Sequence, residues 1–102
     1  MSLKIGCDIG GVIRDLVSEN PITDSIKSIN KLLVTHKVVF ISKCKEKYKD
    51  KSFKWLKENN LSSIPVYFCL EYADKVNIAS DEKINVMIDD RLQVLKNFLI
   101  LL

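Results

Sequence analysis

At 102 residues, with 47% hydrophobic and 28% charged residues and a formal net charge of +3, the chain has the make-up of one ordinary globular domain spanning residues 1–102. That balance excludes a disordered or repetitive polypeptide, and its mild positive charge permits an anionic ligand without demanding nucleic acid or a membrane surface. Three cysteines are an odd number without metal-type pairing, which argues against a disulfide framework and for a reducing, cytoplasmic compartment. No secretory signal is expected, because the N-terminus soon reaches a charged strand end, and no apolar run is long enough to span a bilayer.

The first predicted element is the apolar run ending at Asp8, within Lys4-Ile5-Gly6-Cys7-Asp8-Ile9-Gly10-Gly11-Val12-Ile13. A buried strand there hands a carboxylate to its C-terminal tip, and the two glycines then release the chain into a turn. Val12 to Glu19 reads as an irregular flap. Asn20 followed by Pro21 suggests an N-cap and first helical position, and Ile22, Ile26, Ile29 and Leu33 continue at helical spacing to about Val34. His36 reads as a solvated turn residue.

A second strand is expected over Lys37–Ser42, again with a polar residue at its end. The lysine-dense stretch from Lys43 to Lys51 reads as a loop, and Ser52 as the cap of a helix reaching Asn59 with Phe53, Trp55 and Leu56 turned inward. Between Lys43 and Lys57 the basic residues could attract a nucleotide or a nucleic-acid end, although interspersed Glu46, Asp50 and Glu58 equally suit a solvated face. Ile64 to Cys69 reads as a third strand with Pro65 confined to its start, Ala73 to Lys83 as a short helix or turn, and Ile84 to Ile88 as a fourth strand ending in Asp89-Asp90. Arg91 to Asn97 suggests a helix. Phe98 to Leu102 is an apolar tail suited to a fifth strand or to packing against a second copy of the chain as a homodimer.

Strands alternating with helices predict an α/β fold with a parallel sheet and right-handed crossovers. Asp8, Ser42 and Asp89-Asp90 then fall on one edge of that sheet. Clustered carboxylates repel one another unless a cation joins them, and hard oxygen ligands suit Mg²⁺. Such a site can bind a phosphorylated small molecule, with Asp8 as nucleophile, Ser42 as hydrogen-bond donor to the phosphoryl oxygens, and Lys75, or else Lys83, neutralising charge.

Asp8-Ile9-Gly10-Gly11-Val12, Val39-Phe40-Ile41-Ser42, Lys75 and Val86-Met87-Ile88-Asp89-Asp90-Arg91 resemble, in order, the four motifs of the haloacid dehalogenase (HAD) superfamily. Ala73-Asp74-Lys75-Val76 and Met87 to Arg91 look most like the small 5′(3′)-deoxyribonucleotidase-type members. The resemblance implies a three-layer Rossmann-like fold with strand order 3-2-1-4-5, and a Mg²⁺-dependent phosphatase acting on a phosphomonoester such as a nucleotide. It further implies Asp8, Ser42 and Lys75 as catalytic residues, and metal ligation by Asp8, the backbone carbonyl of Gly10, and Asp89 or Asp90.

Two departures stand out. Where most phosphatases of the superfamily carry a second Asp as general acid and base, this chain has Gly10; Asp15 in the flap is the candidate substitute, against a plain turn role. The intervals between the motifs are also too short for a cap domain, so the site is expected to be open. The alternative function is therefore a degenerate HAD-like binding or regulatory module. A phosphoacceptor receiver domain ranks lower, because its acidic pair comes early in the chain, whereas here it comes late.

Overall fold

The computed structural model describes residues 2–90. Four parallel strands, β1 (Lys4–Cys7), β2 (Lys37–Lys43), β3 (Val66–Cys69) and β4 (Val86–Ile88), form one sheet in the order β3-β2-β1-β4. Three helices connect or flank them: α1 (Ser25–Leu33), α2 (Lys49–Glu58) and α3 (Tyr72–Asp81). The expected α/β class and parallel sheet are present, and the order agrees with 3-2-1-4 over the four strands. The helix expected from Arg91 and the fifth strand expected over Phe98–Leu102 lie outside the described residues.

The alternation within β2 explains the layering. Val38 and Phe40 point to one face, where Ile5, Cys7, Ile29 of α1 and Leu56 of α2 form the larger core cluster. Val39 and Ile41 point to the other, packing with Ala79 of α3, Ile84 and Met87. With both faces covered by helices, nearly every β2 side chain is buried, which is why this strand reads as a continuous apolar run rather than an alternating one. Gly6 lets the sheet centre close up: a Cβ there would lie 2.9 Å from Met87 Sδ.

Several local expectations need correction. α1 begins at Ser25, not Pro21, because the backbone before it is committed to the flap. Asp15 N–H donates to Asn20 O at 2.8 Å and Ile22 N–H donates to Ile13 O at 2.8 Å. Asp24, at φ 62°, turns the chain into the helix. The lysine-dense segment is not a loop throughout: a 3₁₀ turn over Glu46–Tyr48 leads into α2 at Lys49, which places Ser52 inside the helix, buried, rather than at its cap. Phe53 is 50% exposed, its ring set edge-on against Phe68 of the outer strand β3 at 5.3 Å. His36 has a structural task at the turn before β2, where its Nδ1 accepts a hydrogen bond from the Leu3 N–H at 3.0 Å.

Candidate phosphoryl-binding site

The three elements that build the site meet at the C-terminal edge of the sheet. β1 and β4 are neighbours in register, Cys7 opposite Ile88, so the residues that follow them, Asp8 and Asp89, emerge side by side. Asp8 N–H donates to Ile88 O at 2.9 Å and so extends the ladder by one step before the chain turns away. Order β2-β1-β4 makes this the point where the connections run to opposite sides, which in open α/β sheets is where the ligand crevice forms. Lys75 reaches the same point from α3.

Lys75 is 1% exposed, a burial that lysine tolerates only when paired. Its Nζ lies 2.8 Å from Asp89 Oδ2 and 3.1 Å from Asp8 Oδ1. Asp8 Oδ1 also accepts the Ile9 backbone N–H at 2.8 Å. Both contacts fall on one oxygen, leaving Asp8 Oδ2 as the carboxylate oxygen with no protein partner among the described residues. Burial pushes the Asp8 carboxyl from its ordinary 3.8 up to about 6; Lys75 opposes that rise and the charge of Asp89 adds to it. For Lys75, burial acts to lower the pKa, yet the two carboxylates together hold it above the usual value. Burial and the same negative charges raise the Cys7 thiol to about 12, so Cys7 is an inert core residue.

Asp90 completes the cluster: one carboxylate oxygen from each of Asp8, Asp89 and Asp90 lies within 4.8 Å of the others. Three carboxylates around one ammonium leave surplus negative charge, and this all-oxygen donor set fits a hard divalent cation such as Mg²⁺. The two glycines serve this arrangement differently. Gly11 has φ 79°, and a Cβ there would collide with Asp90 Oδ2, so glycine lets Asp90 take its place. At Gly10 a Cβ would meet only Leu16 Cδ2, at 3.1 Å, the end of an exposed side chain. A Cβ at position 10 therefore needs only a small shift of Leu16, and the residue there carries no acid.

Asp8, Gly10, Ser42, Lys75 and Asp90 line one small pocket of about 130 Å³, together with Arg14, Leu16, Lys43 and Tyr72. Asp8, Gly10, Ser42, Lys75 and Asp90 thus lie at this pocket, with Asp89 beside it through its contact with Lys75. Lys83 does not: it occupies the left-handed turn after α3, at φ 54°. Asp15 is not in this pocket either. It closes its own loop, with Oδ2 accepting from Val17 N–H, Ser18 N–H and Ser18 Oγ at 3.0, 2.7 and 3.0 Å. Those hydrogen bonds hold its carboxyl below the ordinary range, which suits a turn residue and not a proton donor.

Arg14 and Tyr72 are pocket residues that the sequence reading passed over. Arg14 sits in the flap, its carbonyl accepting the Gly11 N–H at 2.8 Å and its N–H donating to Ile9 O at 3.1 Å. The flap is in turn fastened to α2. Trp55 Nε1–H donates to Glu19 O at 2.7 Å, Lys51 Nζ pairs with Glu19 Oε1 at 2.6 Å, and the Arg14 guanidinium lies over the Trp55 ring at 5.8 Å.

Comparison of the chain with protein-family models, curated proteins and solved structures finds no match. Among the described residues, no helix is long and apolar enough to cross a membrane. The reading of function therefore rests on the site's own chemistry.

Proposed function

We propose that the chain is a Mg²⁺-dependent phosphohydrolase of the haloacid dehalogenase type, with Asp8 as the phosphoryl acceptor. The observation that carries this reading is the shared ammonium of Lys75 between Asp8 and Asp89, with Asp90 beside them at the switch point of a parallel sheet. An accidental surface cluster of acids would not bury a lysine to hold two of them.

Asp8, Asp89 and Asp90 would hold the cation, with the Gly10 carbonyl as a further ligand by resemblance to the superfamily. Bound there, Mg²⁺ would offset the carboxylate charge and draw electron density from a phosphoryl group. Lys75 fixes Asp8 through Oδ1, which leaves Oδ2 to attack phosphorus and form an aspartyl-phosphate. Ser42, buried at the tip of β2 and lining the pocket, would donate to a phosphoryl oxygen. A pocket of about 130 Å³ suits a phosphoryl group and leaves the remainder of a substrate outside it. Water then cleaves the aspartyl-phosphate and restores Asp8.

A binding or regulatory module is the second reading, and Gly10 is the observation that favours it. General acid–base catalysis contributes about 10²–10⁴-fold, and position 10 has no group to supply it. Phosphate release from a panel of phosphate esters and anhydrides, with and without Mg²⁺, separates the two. Turnover lost on chelation and in Asp8→Asn supports the enzyme; Mg²⁺ binding without turnover would leave the module.

A further inference from the structure

The pocket around Asp8 opens into a second, larger groove of about 610 Å³. Arg14, Leu16, Ser42 and Lys43 line both, so they form the junction between the two. The charges along the groove are not equivalent. Lys51 is neutralised by Glu19, and Asp15 is turned onto its own loop. Arg14 and Lys43, by contrast, have no carboxylate within 4.0 Å among the described residues; Glu19 acts on Arg14 only at longer range, and the two cations lie over aromatic rings, Trp55 at 5.8 Å and Tyr72 at 4.3 Å. Beyond them the groove presents Leu70 and Tyr48, both substantially exposed, and Glu71. Two cations therefore stand at the mouth of the Asp8 pocket, and the carboxylates that line that pocket among the described residues, Asp8 and Asp90, both belong to the acidic cluster, so neither is spare to protonate a leaving group.

The two facts constrain the bond that is broken. An alkyl ester leaves as an alkoxide about as basic as hydroxide, whose conjugate acid has a pKa of roughly 15.7, and it needs a proton donor. A phosphate leaves as a weak base, with a pKa of about 6, and needs only positive charge nearby. We propose that the preferred substrate is an organic phosphoanhydride, whose terminal phosphoryl enters the Asp8 pocket while Arg14 and Lys43 hold the departing phosphate and the groove takes the organic part. This inference rests on the phosphohydrolase reading and narrows it. In the first step Asp8 Oδ2 bonds to the terminal phosphorus, the bond from phosphorus to the bridging oxygen breaks, and its electron pair stays on the departing phosphate without protonation. In the second, a water oxygen bonds to phosphorus, the bond to Asp8 breaks and returns its pair to the carboxylate, and the water protons leave with inorganic phosphate and solvent.

Adenosine diphosphate and adenosine 5′-monophosphate test this as a matched pair, since they share a nucleoside and differ in the bond cleaved. With Mg²⁺, kcat/KM for the diphosphate should exceed that for the monophosphate by at least about tenfold, and Arg14→Gln or Lys43→Gln should each cut that ratio by about tenfold, the weight of one charge-assisted hydrogen bond. Arg14→Lys should retain part of the preference. Calorimetric titration gives a readout without turnover: methylenediphosphonate should bind the wild type more tightly than methylphosphonate, and Arg14→Gln should erase the difference. Circular dichroism confirms that each variant is folded, and the three substitutions read the same ratio independently. Equal or faster release from the monophosphate, still dependent on Asp8, would overturn the anhydride inference and leave the phosphohydrolase standing. Absence of Asp8-dependent release from both would overturn the two together.

Discussion

The small pocket at Asp8 and the groove beside it are built on opposite principles. In the pocket, Lys75, Asp8 and Asp89 are buried and hold one another through short contacts set by strand ends and a helix. In the groove, Leu16, Tyr48 and Leu70 are exposed, and a flap supplies one wall, fastened to α2 through Glu19, Trp55 and Lys51. On the proposed function, chemistry that needs fixed geometry would sit on the rigid elements and recognition on the loops. The difference teaches that substitutions in the pocket should act on stability and chemistry at once, whereas those in the groove should act on substrate preference.

The largest expected effect is that of Lys75→Met. It leaves two buried carboxylates facing each other without their cation, and breaking a buried pair in this way costs about 3–5 kcal/mol. Urea unfolding in chelator should show that loss, and added Mg²⁺ should recover part of it. A result within experimental error of the wild type would break the picture of a closed, pre-set pocket.

A second effect comes from pH. The Asp8 carboxyl is raised by burial from 3.8 to about 6, so its contribution to folding is fully present below about 3.8 and is lost as pH rises through about 6. In metal-free buffer the stability difference between wild type and Asp8→Asn should therefore move against the wild type as pH climbs across that window. Denaturation series at several pH values measure it, and a flat difference would contradict the rise that burial imposes on the Asp8 carboxyl against the pull of Lys75.

Next come the two adjacent glycines, which sharpen the comparison within a single turn. Gly11→Ala combines φ 79° with a direct clash on Asp90 and should cost about 1–3 kcal/mol while weakening Mg²⁺ binding. Gly10→Ala meets only the end of Leu16 and should stay within about 1 kcal/mol of the wild type. Gly10→Asp, which places an acid at that position, should raise turnover of alkyl monoesters above that of the wild type. The smallest effect belongs to the groove: Trp55→Phe removes one hydrogen bond to the flap, worth about 0.5–1.5 kcal/mol, and should show in the affinity of anhydride analogues.

How much of this was legible in the sequence follows the same division. Strand ends carry their signal locally, because an apolar run stopping at Asp8, Ser42 or Asp89 marks both the element and its tip. The pocket residues Asp8, Ser42, Asp89 and Asp90 could therefore be placed on one edge from topology alone, whereas Lys75, on a helix, is singled out over Lys83 only with the family resemblance. The flap has no periodicity to read. Its backbone bonds, from Asp15 to Asn20 and Ile22 to Ile13, displaced the start that Asn20-Pro21 suggested for α1. The charge of Arg14 is equally mute in sequence, since its place at the junction depends on a turn at Gly11 and a ring on α2. Phe53 misled because helical spacing marks a face but does not say whether a neighbouring strand, here the outer β3, covers it.

The central claim is that Asp8 receives the phosphoryl group, and the most direct measurement is its capture. Protein quenched in acid during incubation with Mg²⁺ and a phosphoanhydride, reduced with borohydride and digested, should show modification confined to Asp8 by mass spectrometry, absent from Asp8→Asn. Substrate turnover with Asp8 unmodified, or a phosphoryl group carried elsewhere and retained in Asp8→Asn, would contradict the account.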